Sequence, residues 1–162
     1  MTRIAVFSDS HGSEETLREL IDRALACGHV NAFVHCGDGA REFAALESVM
    51  LLSSPSALCL GVRGNCDFAV SGVPDVQTAL LGGVRVLIAH GHLYGVKQQY
   101  SSLAYAAREK GCTLALFGHT HYPETVEMGG VTLVNPGSAA DGRFALVEIS
   151  PEGGITPKLL RL

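Results

Sequence analysis

The feature that most constrains how this chain can fold is a set of five short clusters, each closing a short apolar run. They are Asp9-Ser10-His11, Gly37-Asp38, Gly64-Asn65-Cys66-Asp67, His90-Gly91-His92 and Gly118-His119-Thr120-His121. Loops beyond the carboxyl ends of successive strands in an α/β sheet converge on one edge, so a chain built this way brings the clusters together. Taken singly, each is weak, since a lone Asp after a strand is usually a cap or turn residue. Together they place aspartate, asparagine and histidine side chains at one edge. That mixture of oxygen and nitrogen donors suits Mn, Fe, Co, Ni or Zn, and a metal site is the expectation.

Strands are expected at Arg3–Phe7, Ala32–Cys36, Ala57–Val62, Gln77–Leu81, Val84–Ala89, Leu114–Phe117, Val131–Val134, Phe144–Ile149 and Ile155–Leu160. The early ones are continuous apolar runs, as in strands covered on both faces. Helices are expected over Ser13–Cys27, Ala40–Leu52 and Val96–Lys110. In the first, Leu17, Leu20, Ile21, Ala24 and Leu25 fall on one face, Ser13 with Glu14-Glu15 resembles a capping box, and Gly28 can end the helix. Early alternation of strand and helix predicts right-handed crossovers and a parallel sheet. The glycine turns Leu81-Gly82-Gly83-Val84 and Met128-Gly129-Gly130-Val131 are hairpin signals. Parallel and antiparallel pairing should therefore mix, in two sheets packed together.

A chain of 162 residues fits one domain, 1–162, with a full core. No apolar run reaches the ~18 residues of a membrane span, and the chain opens directly into a strand, so a secretory signal is not expected. Five cysteines, an odd number with no C-x-x-C pair, read as buried, reduced thiols in a cytoplasmic protein. The net charge of −4 and the absence of a Lys/Arg block leave no clear nucleic-acid surface and no membrane-binding surface. Nothing in the residues fixes the oligomeric state, and a homo-oligomer stays open.

The order D-x-H, G-D, G-N-x-D, His-Gly-His and G-H-T-H, followed by Asn135-Pro136-Gly137-Ser138, resembles the calcineurin-like metallophosphoesterase superfamily. Within it the match is to the small single-domain phosphodiesterases that share their core with a retromer scaffold subunit. The match runs from Arg3 to about Phe144. The resemblance implies a four-layer α/β/β/α sandwich of two mixed sheets with two divalent transition-metal ions at one edge. By that resemblance Asp9, His11, Asp38 and His121 hold one ion, and Asp38, Asn65, His90 and His119 the other, with Asp38 bridging. Spacing alone does not separate His119 from His121, because residues two apart on an extended segment face the same way.

The function implied is a dinuclear-metal phosphoesterase, most simply a phosphodiesterase. A hydroxide shared by the two ions attacks a small phosphoester substrate, and Asn65 helps to orient it. Cys66 stands where many members carry a histidine that protonates the leaving group; the expectation is a small packed thiol filling space, with a ligand role as the alternative. Asp67 is expected to fix the Asn65 loop by hydrogen bonding. His92 either reaches a substrate phosphate or orders its own loop, while His29 and His35 are expected to be structural. The alternative is a protein-interaction scaffold on the same fold, a role that tolerates loss of ligands. A nuclease would be expected to show a basic groove or an added capping domain.

Overall fold

The structure, a computed structural model, describes residues 1–162. Its first half builds the parallel part of one sheet. β1 (Thr2–Phe7), β2 (Ala32–His35) and β3 (Leu58–Gly61) pair in parallel. The helices α1 (Glu14–Ala26), α2 (Ala40–Ala45) and α3 (Glu47–Ser53) connect them. The second sheet comprises β4 (Val76–Leu81), β5 (Val84–Ala89), β6 (Leu114–Leu116), β7 (Glu124–Met128) and β8 (Val131–Asn135) in the order β4-β5-β6-β8-β7. The helix α4 (Ser101–Glu109) crosses between β5 and β6. The chain then returns to the first sheet through β9 (Arg143–Ile149) and β10 (Ile155–Arg161), giving the order β10-β9-β1-β2-β3.

Side-chain alternation along the strands creates the layers. On β1, Ile4 and Val6 face the second sheet and pack with Val86, Ile88, Leu114 and Leu116. Ala5 and Phe7 point the other way, onto Leu17, Leu20 and Ile21 of α1. Leu87, Ala115 and Leu133 on the far face of the second sheet meet Leu103, Ala104 and Ala107 of α4. The result is the four-layer α/β/β/α sandwich, with the strand-end loops gathered at one edge. No helix is long and apolar enough to cross a membrane.

Several details differ from the sequence expectations. The helix expected over Ala40–Leu52 is two helices, because the chain leaves helical geometry at Leu46 (φ −93°, ψ 0°) while that side chain stays buried. The helix expected from Val96 begins at Ser101. Gly95 adopts a left-handed φ of 61° and Val96 packs over Gly91, which turns the chain before helical geometry starts. β7 was not among the expected strands. Its Glu124, Thr125 and Glu127 belong to a half-buried edge, which lacks the apolar run that marks a central strand. Ser13 makes no side-chain cap to α1. The thiols are not uniformly buried either, for Cys27 and Cys66 are exposed and Cys59 is half-buried.

Candidate metal centre

The five clusters do meet at one edge, and the backbone there is unusual. The only non-glycine residues with positive φ are Asp9 (54°), His11 (46°), Asp38 (55°), His119 (71°) and His121 (62°). Left-handed geometry costs an L-residue roughly 1–2 kcal/mol, and such outliers gather at functional sites. Each of these is a residue predicted to hold metal. The same geometry separates His119 from His121. The segment is not extended, so the two rings do not share a face. His121 Nε2 lies 3.1 Å from both His11 Nε2 and Asp9 Oδ1, whereas His119 Nδ1 lies 3.2 Å from His90 Nε2.

Asp9 is held by one oxygen and free at the other. Its Oδ2 accepts from Ser8 Oγ (2.6 Å) and from the His119 N–H (3.0 Å). Its Oδ1 is buried with no hydrogen-bond partner, 3.5 Å from His11 Nε2. A buried carboxylate oxygen without a partner is costly, and a cation there would relieve the cost. Asp38 spans the two sides of the cluster. Its Oδ1 accepts the Cys66 N–H (2.7 Å), and Oδ2 lies 3.2 Å from His90 Nε2 and 3.9 Å from His11 Nε2. Burial pushes the Asp38 carboxyl up, but its bonds to His90 and Cys66 outweigh burial and hold it below the carboxylate range.

His90 donates from Nδ1 to the Cys36 carbonyl at 2.8 Å, which turns Nε2 into the cluster toward Asp38 Oδ2. Burial opposes its protonation, yet Asp38 and Asp9 together raise its pKa. His119 is pushed down to about 4 by burial and by His90, so its imidazole is neutral and its lone pair available. The ligand atoms of Asp9, His11 and His121 lie within 4.8 Å of one another, as do those of Asp9, Asp38 and His90. Donors this close suit a divalent transition ion. Asn65 is exposed at the mouth, its Nδ2 3.5 Å from Cys66 Sγ. His92 opens a short 3-10 turn, half-buried, with Nδ1 buried and unpartnered and its ring 5.3 Å from that of His90.

A layer of supporting residues was only partly legible in the sequence. Asp67, buried, accepts four backbone N–H groups, those of Asp38, Gly39, Ala40 and Gly64. It therefore locks the Asp38 loop as well as the Asn65 loop. The loops lie so close that a side chain at Gly37 would meet the backbone of Gly64 at 2.8 Å. Asn135 Nδ2 donates to the Gly118 carbonyl and Thr120 Oγ1, and Ser138 Oγ donates to the Asp9 carbonyl, so the Asn135-to-Ser138 turn clamps two further loops. Cys66 corrects the expectation of a packed thiol. Its N–H is spent on Asp38, its side chain is exposed, and burial and the Asp38 charge push the thiol up. His29 is exposed and only its carbonyl is used, by Arg3.

His35 is fully buried and completes a relay. Its Nδ1 accepts the Gly37 N–H, so Nε2 carries the proton and donates to Ser10 Oγ, which donates to Glu42 Oε1. Glu42 also accepts the Gly12 N–H at 2.6 Å. Burial lowers the His35 pKa from 6.5 to about 4. Between those values the unfolded chain binds a proton that the folded chain refuses. Stability is full above pH 6.5 and falls by about 3 kcal/mol on going down to pH 4. His35→Gln, which can keep the Ser10 contact, is expected to flatten that part of the profile. Urea unfolding of metal-free protein at pH 7 and pH 4.5 checks this, and an equally steep loss in the variant would assign the acid sensitivity elsewhere.

Comparison with known proteins agrees with this geometry. Residues 2–150 match the model of the calcineurin-like phosphoesterase superfamily domain. The chain is 36% identical over 135 residues to the probable metallophosphoesterase YsnB of Bacillus subtilis, covering 83% of this chain and 73% of that protein. It is 27% identical over 156 residues to the phosphodiesterase YfcE of Escherichia coli K12, covering 86% of this chain and 80% of that one. Among solved structures, the zinc complex of Vps29 from Entamoeba histolytica shares the fold. Its TM-score is 0.74 at 22% identity over 99% of both chains.

Proposed function

This chain belongs to the calcineurin-like phosphoesterase superfamily, and on that premise we propose that it is a phosphodiesterase working with two divalent transition-metal ions. Asp9, His11, Asp38 and His121 would hold one ion, and Asp38, Asn65, His90 and His119 the other. Mn, Ni, Fe, Co and Zn all suit these donors. When bound, such a pair supplies Lewis acidity and a water acidified toward neutral pH as the nucleophile for in-line displacement at phosphorus.

The observation that carries this reading is the coincidence of left-handed backbone with ligand identity, together with the unpartnered Asp9 oxygen. The chain's own residues then arrange the substrate. Only Asp9 and Asp38 bring free carboxylate charge to the cluster, because Asp67 and Glu42 turn their oxygens to N–H groups and Ser10. A phosphoester anion is thus not repelled. Asn65, at the mouth, would orient a phosphoryl oxygen through its amide. Burial and the neighbouring His90 lower the His92 pKa, and its half-buried ring, beside that of His90, would steady the substrate phosphate. Free, unpaired cysteines fit a reducing compartment, and we place the protein in the cytoplasm.

Likeness in fold to Vps29 keeps the scaffold as the alternative, and the strained backbone at five of the proposed ligands favours the enzyme. The test is to strip the protein of metal, reload it with Mn, Ni, Co, Fe or Zn in turn, and offer an activated phosphodiester. Turnover with at least one metal is expected. Silence across all five would favour the scaffold.

A further inference from the structure

A cavity of about 410 Å³ opens beside the metal centre, a volume within the range of small-molecule sites. Its lining includes the proposed ligands His11 and Asp38 and, beyond them, Arg41, Phe68 and Val70. Phe68 is the most exposed large apolar side chain of the protein, at 85%. A single exposed ring ordinarily needs no explanation, but the turn that carries this one is fixed. The preceding Asp67 accepts four backbone N–H groups. Two residues beyond the ring, the Val70 N–H donates to the Asp67 carbonyl and the Val70 carbonyl accepts from the Arg63 guanidinium. The backbone is thus pinned on both sides of an aromatic face that has no core to fill.

The charges in the cavity point the same way. Glu42 and Asp67 also line it, but their oxygens already accept backbone N–H groups and the Ser10 hydroxyl. Arg41 differs. Its exposed guanidinium pairs with no carboxylate, unlike those of Arg3 and Arg63, and its fork of N–H donors fits a phosphate. The cavity therefore joins three things: the metal ligands, a flat apolar face and an unpaired cation.

We infer that this cavity receives a nucleotide arm of the diester substrate, its base stacked on Phe68 and a second phosphate held by Arg41. The inference rests on the phosphodiesterase reading above and names its substrate class. A sugar or alkyl arm would use neither feature, and a plain aryl arm would use only the ring. A nucleotide arm uses both, because every base has a π face that stacks on an aromatic side chain. Phe68 and Arg41 then set which diester is preferred without touching the reacting atoms.

The test compares nitrophenyl esters that share one leaving group, on the full-length, metal-loaded protein. They are methyl nitrophenyl phosphate, the nitrophenyl ester of thymidylate, and that same ester with a further phosphate on its sugar. From methyl to thymidylyl, kcat/KM should rise roughly tenfold, the scale of one stacked base. The further phosphate should add roughly threefold or more, as expected for an exposed ion pair. Phe68→Ala should remove the first gain and Arg41→Gln the second, with little change for the methyl ester, while Phe68→Tyr should keep the first. A second readout needs neither turnover nor metal. Thymidine carrying two phosphates should shift the Phe68 ring resonances of the metal-free protein, and inorganic phosphate should not. Equal kcat/KM for all the esters, gains that survive the variants, or an unmoved ring would overturn the inference and leave the phosphodiesterase reading standing. A gain from the base with none from the second phosphate would overturn the nucleotide class. No hydrolysis of any ester with any metal would overturn both readings.

Discussion

Asp38→Asn is expected to leave the protein folded while lowering metal-dependent diester hydrolysis by about 10²–10³-fold, the scale of losing one group that stabilises transition-state charge. The fold should survive because asparagine tolerates the left-handed φ of 55° found at this position. The chemistry should not survive. The Cys66 N–H needs an acceptor at 2.7 Å, so the new amide must present its oxygen there. Its NH₂ group is then turned toward His90 and His11, where Asp38 offered Oδ2. A donor replaces a negative acceptor at the point shared by both halves of the cluster. Elemental analysis and turnover measured on the same sample check this. Unchanged metal content in the variant would remove Asp38 from the bridging role.

Asp67→Ala is expected to be the most destabilising change near the site, although Asp67 is not among the proposed ligands. It strips acceptors from four backbone N–H groups at once. An unsatisfied buried donor costs ~1–3 kcal/mol, and partial relaxation with entry of water should hold the total to about 3 kcal/mol. For a chain of this size that is a drop of roughly 6–12 °C in Tm. The Asp38 and Asn65 loops should loosen together, so metal affinity should fall in the same variant. Asp67→Asn, which keeps one acceptor oxygen, should be intermediate. Calorimetry of the metal-free proteins tests the stability claim, and a variant melting within a degree or two of the parent would contradict it.

Residues that end strands and carry their own chemistry were legible in the sequence. The buried stripe of Leu17, Leu20, Ile21 and Ala24 also appears as its helical spacing predicts. What escaped depends on orientation or on distance along the chain. Glu42 meets Ser10 across 32 residues from the first turn of a helix, where an acidic side chain is unremarkable. Asp67 could be assigned to its own loop, but nothing local says that it also caps the loop carrying Asp38. The separation of His119 from His121 was hidden because side-chain alternation presumes extended backbone, and both residues are left-handed. Cys66 looked like a core thiol because cysteine so often is one. Its exposure, and its backbone bond to Asp38, are announced by no local pattern.

The central claim is that two ions act together in one phosphodiesterase site, and activity against metal equivalents tests it most directly. Metal-free protein is titrated with the most activating ion while hydrolysis of an activated diester is followed and bound metal is measured. Activity should stay low through the first equivalent per chain, rise steeply through the second and then level off. A plateau at one equivalent, or two bound equivalents without hydrolysis, would contradict the account.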